Sequence, residues 1–204
     1  MSASFVLATR NAGKILELRA ILADALRELD AELVGVDTFP HVADVVETGV
    51  TFEENATLKA VTVARATGLP ALADDSGLAV DVLGGAPGAF SARWSGRYGD
   101  DEANLCLLLD QLADVPDQHR GAAFVCCAAL ALPDGRTLAR HGRLEGALTR
   151  RPRGGNGFGY DPILAVAGRR ETAAELDPGE KNAISHRGIA FRALAEAMPG
   201  FLRA

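Results

Sequence analysis

Three lysines and three cysteines are all that the 204 residues contain of either type, and no apolar run approaches the roughly 18 residues of a membrane-spanning helix. The N-terminus, Met1-Ser2-Ala3-Ser4-Phe5, lacks a basic stretch followed by an apolar one. Neither a signal peptide nor membrane association is expected, and the cytoplasm is the expected location. Cys106, Cys126 and Cys127 are odd in number and lack the spacing of a zinc site. Cys126 and Cys127 lie in an apolar run that reads as a strand, so they should point to opposite faces as small buried hydrophobes. Repeats, low-complexity tracts and linkers are also missing. The length suits one large domain or one domain in two lobes, over residues 1–204.

Positive charge is scarce as well. The formal net charge of −6 argues against nucleic acid bound by charge alone. An acidic protein that binds a polyphosphate must gather its cations locally and add a metal. Lysine occurs only at Lys14, Lys59 and Lys181, and arginine supplies the rest of the 21 basic residues. Where arginine is the default surface cation, a retained lysine hints that a compact ammonium is wanted.

What is present is an alternation of short apolar runs and amphipathic segments. Residues 4–8 read as a buried strand, stopped by Thr9-Arg10-Asn11-Ala12-Gly13-Lys14. Ile15, Leu18, Leu22, Leu26 and Leu29 then recur at helical spacing, which puts the polar turn at a helix N-terminus able to receive an anion. Residues 33–36 form a second strand. Thr51 and Glu54 make a capping box for a helix to about Thr67, ended by Gly68 and Pro70. Asn55, Lys59 and Thr62 share one polar face of it. Residues 70–73 read as a strand running into Asp74-Asp75-Ser76-Gly77, and residues 78–83 as another strand. A leucine-marked helix covers about 101–113, and Asp134-Gly135 turns a hairpin between the runs 122–132 and 137–148. Glycine-rich residues 154–162 precede a strand at 163–166. Asp177-Pro178-Gly179-Glu180 opens a helix. A last helix, to about Met198, carries Ile189, Leu194 and Met198. The pattern predicts an α/β fold around a mixed sheet.

Polar clusters fall at the ends of these strands and beside helix starts, where α/β proteins collect functional groups. Asp74 and Asp75 should face opposite ways, one toward a ligand and the other supporting the loop. Neighbouring carboxylates repel unless a cation is present, and oxygen-only ligands suit Mg²⁺. An Asp-Asp-Ser-Gly turn can equally satisfy its own backbone. Taken singly, His186-Arg187 reads as an exposed helix start, Phe158 as core, and Thr9–Lys14 as a capped turn that is not a Walker A loop.

In their order, these motifs resemble one family: Thr9 to Lys14, Glu47-Thr48-Gly49, Phe52-x-x-Asn55-Ala56-x-x-Lys59-Ala60, Ala73 to Leu78, Gly84 to Gly88, Ser91-Ala92-Arg93, Gly157 to Pro162 and Ser185 to Gly188. The chain is similar nearly end to end to the inosine triphosphate pyrophosphatase family. The resemblance implies a long central mixed sheet with helices, in two lobes with an active-site cleft between them. It implies Mg²⁺-dependent hydrolysis of ITP, dITP and XTP to monophosphate and pyrophosphate, which cleanses the nucleotide pool, and a homodimer. Asp75 would be the general base and a metal ligand, with Glu47 the other metal-associated carboxylate. Thr9 to Lys14 (Arg10, Asn11, Ala12 and Gly13 included), Lys59 and Ser76 would meet the phosphates. Phe158, within Phe158-Gly159-Tyr160-Asp161, would stack on the base, and Lys181, His186 and Arg187 would line the base and sugar pocket. Arg10 stands where many members carry Gly, either as an added phosphate contact or projecting outward.

Base choice needs a donor near purine position 6, for which Arg187 is the candidate, with His186 in support. Hypoxanthine and xanthine present a keto oxygen there and adenine an amino group, and two facing donors leave buried groups unpaired. Two rival readings are a pyrophosphatase for other modified or pyrimidine nucleotides, as in septum-formation-type proteins, and a nucleotide-binding module without catalysis. The second has no need of Glu47, Asp74 and Asp75.

Overall fold

The computed structural model describes residues 3–10 and 12–203, without the side chains at 3, 12–14 and 17. β1 (Ala3–Leu7) leads to α1 (Ala12–Glu28), and β2 (Ala31–Gly35) returns parallel to β1. α2 (Phe52–Thr67) follows an irregular segment. Thr51 accepts the Glu54 N–H while Glu54 bonds back to the Thr51 N–H, and Gly68 closes the helix at φ 70°. The capping box and glycine stop expected from sequence are thus both in place.

β3 (Ala71–Val80) differs from expectation. Two strands were expected about the Asp-Asp-Ser-Gly turn signal, yet one unbroken strand runs through it, and residues 81–83 form a 3-10 turn. β3 lies between β1 and β4 in the sheet order, and this tertiary setting overrides the turn preference of those residues. The register explains what this exposes. β1 ends with Leu7 beside Leu72, while β3 runs on, carrying Asp74 and Asp75 past the carboxyl end of β1.

α3 (Asp101–Gln111) is capped by Asp100. β4 (Gly121–Ala131) and β5 (Thr137–Leu148) flank the Asp134-Gly135 turn, and β6 (Leu164–Val166) pairs antiparallel with β5. The sheet order is β2-β1-β3-β4-β5-β6, mixed as expected. α4 (Pro178–Ile184) has Asp177 at its N-cap. α5 (His186–Arg203) continues through Pro199, beyond the expected end, because Phe201 and Leu202 still pack on the core. Its buried face is Ala190, Phe191, Leu194 and Met198; Ile189, expected there, is exposed. No helix among the described residues is long and apolar enough to cross a membrane.

The chain divides into two compact units. Unit 1 (1–75, 126–142, 187–204) has two apolar clusters. In one, leucines of α1 and the buried face of α5 pack with Phe5, Leu72, Cys126 and Leu130. In the other, Ala56, Ala60 and Ala64 of α2 meet Ala71, Ala73, Cys127, Ala129 and Ala131, small residues that let helix and sheet approach closely. Cys126 and Cys127 therefore do face opposite ways, and burial first of all pushes the Cys127 thiol up to about 12. Unit 2 (76–125, 143–186) packs α3 leucines with Leu78, Phe124, Leu144, Tyr160 and Ile163. Buried Arg120 holds its turns together by donating to the carbonyls of Leu112 (2.6 Å), Leu148 (2.9 Å) and Thr149 (3.0 Å).

Candidate active site

In unit 1 the overrun of β3 puts Asp75 beside the first turns of α2. Asn55 and Lys59, one helical turn apart, both reach it: Asn55 Nδ2 donates to Asp75 Oδ2 at 3.2 Å, and Lys59 Nζ lies 3.4 Å from Asp75 Oδ1. Lys59 Nζ also donates to Glu47 Oε1 at 2.6 Å. The two carboxylate oxygens are therefore within about 6 Å of each other, with an ammonium between them. All three side chains are largely buried, with 12–18% exposed.

Burial raises the Asp75 pKa above its ordinary value, Lys59 opposes this, and Glu47 adds to it. Burial alone would lower Lys59, but the charges of Asp75, Glu47 and Asp74 outweigh it and raise its pKa. The cluster carries two carboxylates against one ammonium and is set to take further positive charge. Among the described residues, no group of three or more His, Cys, Asp or Glu side chains could hold a metal by itself. An oxygen-only pair suits Mg²⁺, which completes its shell with phosphates and waters.

Asp74 faces the other way, as alternation along a strand requires. Its Oδ2 accepts from Arg187 Nε at 3.1 Å, and both groups are buried. Asp74 thus holds Arg187 in place. A hollow of about 270 Å³ lies beside the cluster, lined by Thr9, Arg10, Asp44, Val45 and Lys59 among others. Arg10 bonds to the Val42 carbonyl and to Asp44. Asn11 and the side chains of Ala12, Gly13 and Lys14 lie outside the described residues.

Unit 2 holds the remaining residues expected in the site. Asp161 Oδ2 accepts from Lys181 Nζ at 2.5 Å and from the Phe158 N–H at 2.8 Å. Phe158 stands 65% exposed, unusual for a phenylalanine, with Lys181 Nζ 5.8 Å from its ring centre. The turn is tight: a Cβ on Gly157 (φ 81°) would meet Asp161 Oδ2 at 2.1 Å and Lys181 Nζ at 2.7 Å. Gly159 N–H bonds to Asp101. Tyr160 is buried, its hydroxyl donating to the Ser91 carbonyl, and burial raises its pKa. His186 stacks on Phe124 with centroids 5.1 Å apart. Ser76 follows Asp75 in β3 and is half-buried. Two contributors had no role assigned from sequence. Asn55 stood on the right helical face, one turn from Lys59. Asp101 gave no signal beyond a helix start.

Residues 5–197 match the model of the Ham1 family. A Streptomyces coelicolor protein named dITP/XTP pyrophosphatase is 67% identical over 189 residues, 93% of this chain and 94% of that one. A HAM1 protein structure from Coxiella burnetii superposes with a TM-score of 0.88 at 44% identity, covering 97% of this chain and 99% of that one. A structure titled nucleoside-triphosphatase / dITP/XTP pyrophosphatase, from Mycobacterium abscessus, gives 0.81 at 50% identity, covering 97% and 98%.

Proposed function

We propose, from the premise that this chain belongs to the Ham1 family, that its carboxylate–lysine cluster acts on the triphosphate and its Phe158–Lys181 cluster on the purine. The chain is a nucleoside triphosphate pyrophosphatase that hydrolyses ITP, dITP and XTP to monophosphate and pyrophosphate. The observation that carries the assignment of residues is Lys59 joined to both Glu47 and Asp75.

Water attacks the α-phosphorus in line, a P–O bond forms, the α–β bridging bond breaks, and pyrophosphate leaves. Asp75 orients the water and takes its proton. Asn55 and Lys59 fix the orientation of the Asp75 carboxylate. Lys59 and Thr9, on the wall of the hollow, receive phosphate oxygens together with Lys14 and Asn11. Glu47 and Asp75 would hold Mg²⁺, which supplies Lewis-acid neutralisation of the phosphates. Phe158 offers a face for the base, and Arg187, oriented by Asp74, donates to a keto oxygen at position 6. All of 1–204 serves as one catalytic domain that works in the cytoplasm as a homodimer.

The test is release of pyrophosphate from ITP, XTP, GTP and ATP, with and without Mg²⁺. Metal-dependent turnover of ITP and XTP well above ATP is expected. Equal rates on ATP, or turnover in excess chelator, would sink the assignment.

A further inference from the structure

We infer that Arg10 is a positioning residue: it latches the irregular segment 39–51 to the end of β1 and so keeps Glu47 turned toward Lys59 and Asp75. The segment has no helix or strand of its own. Apolar packing secures its beginning, where Val42 is buried in the alanine-rich cluster. Val46 and Val50, on either side of Glu47, are 78% and 69% exposed. Packing at these two valines therefore does little to hold this part of the chain, and polar ties carry more of that work.

On the α2 side those ties are Lys59 to Glu47 and Asn55 Oδ1 to the Gly49 N–H at 2.8 Å. On the β1 side one guanidinium supplies two such ties. Arg10 Nη2 donates to the Val42 carbonyl at 2.7 Å, and its Nε to Asp44 Oδ1 at 2.9 Å. The bond to Val42 carries more of the effect, since Asp44 is 89% exposed and its ion pair is weakened by solvent. Residues 43–45 then wall the hollow beside Lys59. A planar fork fixed at two points holds a segment in register with a rigid geometry that a rotatable ammonium on a flexible stem does not impose. The latch stands on these contacts alone. Its catalytic consequence rests on the role proposed above for Glu47.

Arg10→Gly and Arg10→Lys test it by hydrogen exchange on the metal-free protein. The Val42 and Gly49 amides are the probes, since each is hydrogen-bonded. Both variants should exchange there roughly tenfold faster, with α2 unchanged, as expected for local loss of modest hydrogen bonds. The Mg²⁺ concentration for half-maximal turnover should rise several-fold in both, with the nucleotide KM at saturating Mg²⁺ nearly unchanged. Unchanged exchange in Arg10→Gly overturns the latch, as does faster exchange spread over β1 and α2. Wild-type behaviour of Arg10→Lys, with only the nucleotide KM raised in Arg10→Gly, makes Arg10 a charge contact to the polyphosphate instead. Should the wild type release no pyrophosphate, the functional assignment fails while the exchange result still decides the latch.

Discussion

Replacing Asp75 by Asn separates catalysis from stability. The carboxylate is the proposed base, and losing a general base costs about 10²–10⁴ in rate, or roughly 3–5 kcal/mol in the barrier. Stability should respond differently. The folded-state pKa of Asp75 is raised, chiefly by burial. Its proton therefore stabilises the fold fully below the unfolded pKa, and that contribution is lost as pH rises through the folded pKa. At neutral pH and without metal, the ionised group is a cost that Asn removes. Asn brings its own cost. Asn55 cannot readily turn its amide, because its Oδ1 holds the Gly49 N–H, so one donor at position 75 meets either Asn55 Nδ2 or Lys59 Nζ. One such mismatch is worth about 1 kcal/mol and opposes that relief. The variant should melt within about 4 °C of wild type at pH 7 in chelator. The melting difference, variant minus wild type, should grow as pH is raised from 4 to 7. Steady-state pyrophosphate release and calorimetric melting across that range measure both. Turnover within tenfold of wild type would refute the base assignment. A loss of more than about 3 kcal/mol would show that the charge is needed by the fold and refute the burial argument.

Glu47→Gln should raise the Mg²⁺ concentration for half-maximal turnover at least tenfold, read by metal titration of initial rates, since one of the two oxygen donors loses its charge. Phe158→Ala should raise KM for XTP by about 5–150-fold, the range for one lost stacking platform of about 1–3 kcal/mol, with melting almost unchanged because the ring is exposed. Gly157→Ala should raise the same KM and lower the melting temperature, because its Cβ collides with Asp161 and Lys181 at a positive φ. Arg120→Met should destabilise the protein by more than about 3 kcal/mol, since it strips a donor from three carbonyls, and chemical denaturation would show it.

Much of the scaffold was written locally. The capping box at Thr51 and Glu54, the glycine stop at Gly68, the Asp134-Gly135 turn and the alternation of Cys126 and Cys127 each depend on residues a few positions apart. Asn55 and Lys59 share a face for the same reason, and strand alternation alone turned Asp74 and Asp75 apart. What the sequence could not decide was anything that needs a neighbour from far along the chain. Turn-forming Asp-Asp-Ser-Gly became part of a strand because β3 is a central strand of the sheet, although β1 stops short of it. Asp74 found Arg187 across 113 residues, and Arg10 found Val42 and Asp44 across more than 30. Local hydrogen bonding and periodicity choose helices, turns and the faces they present. Which charged groups those faces bring together depends on sheet register and packing, which short-range sequence does not encode.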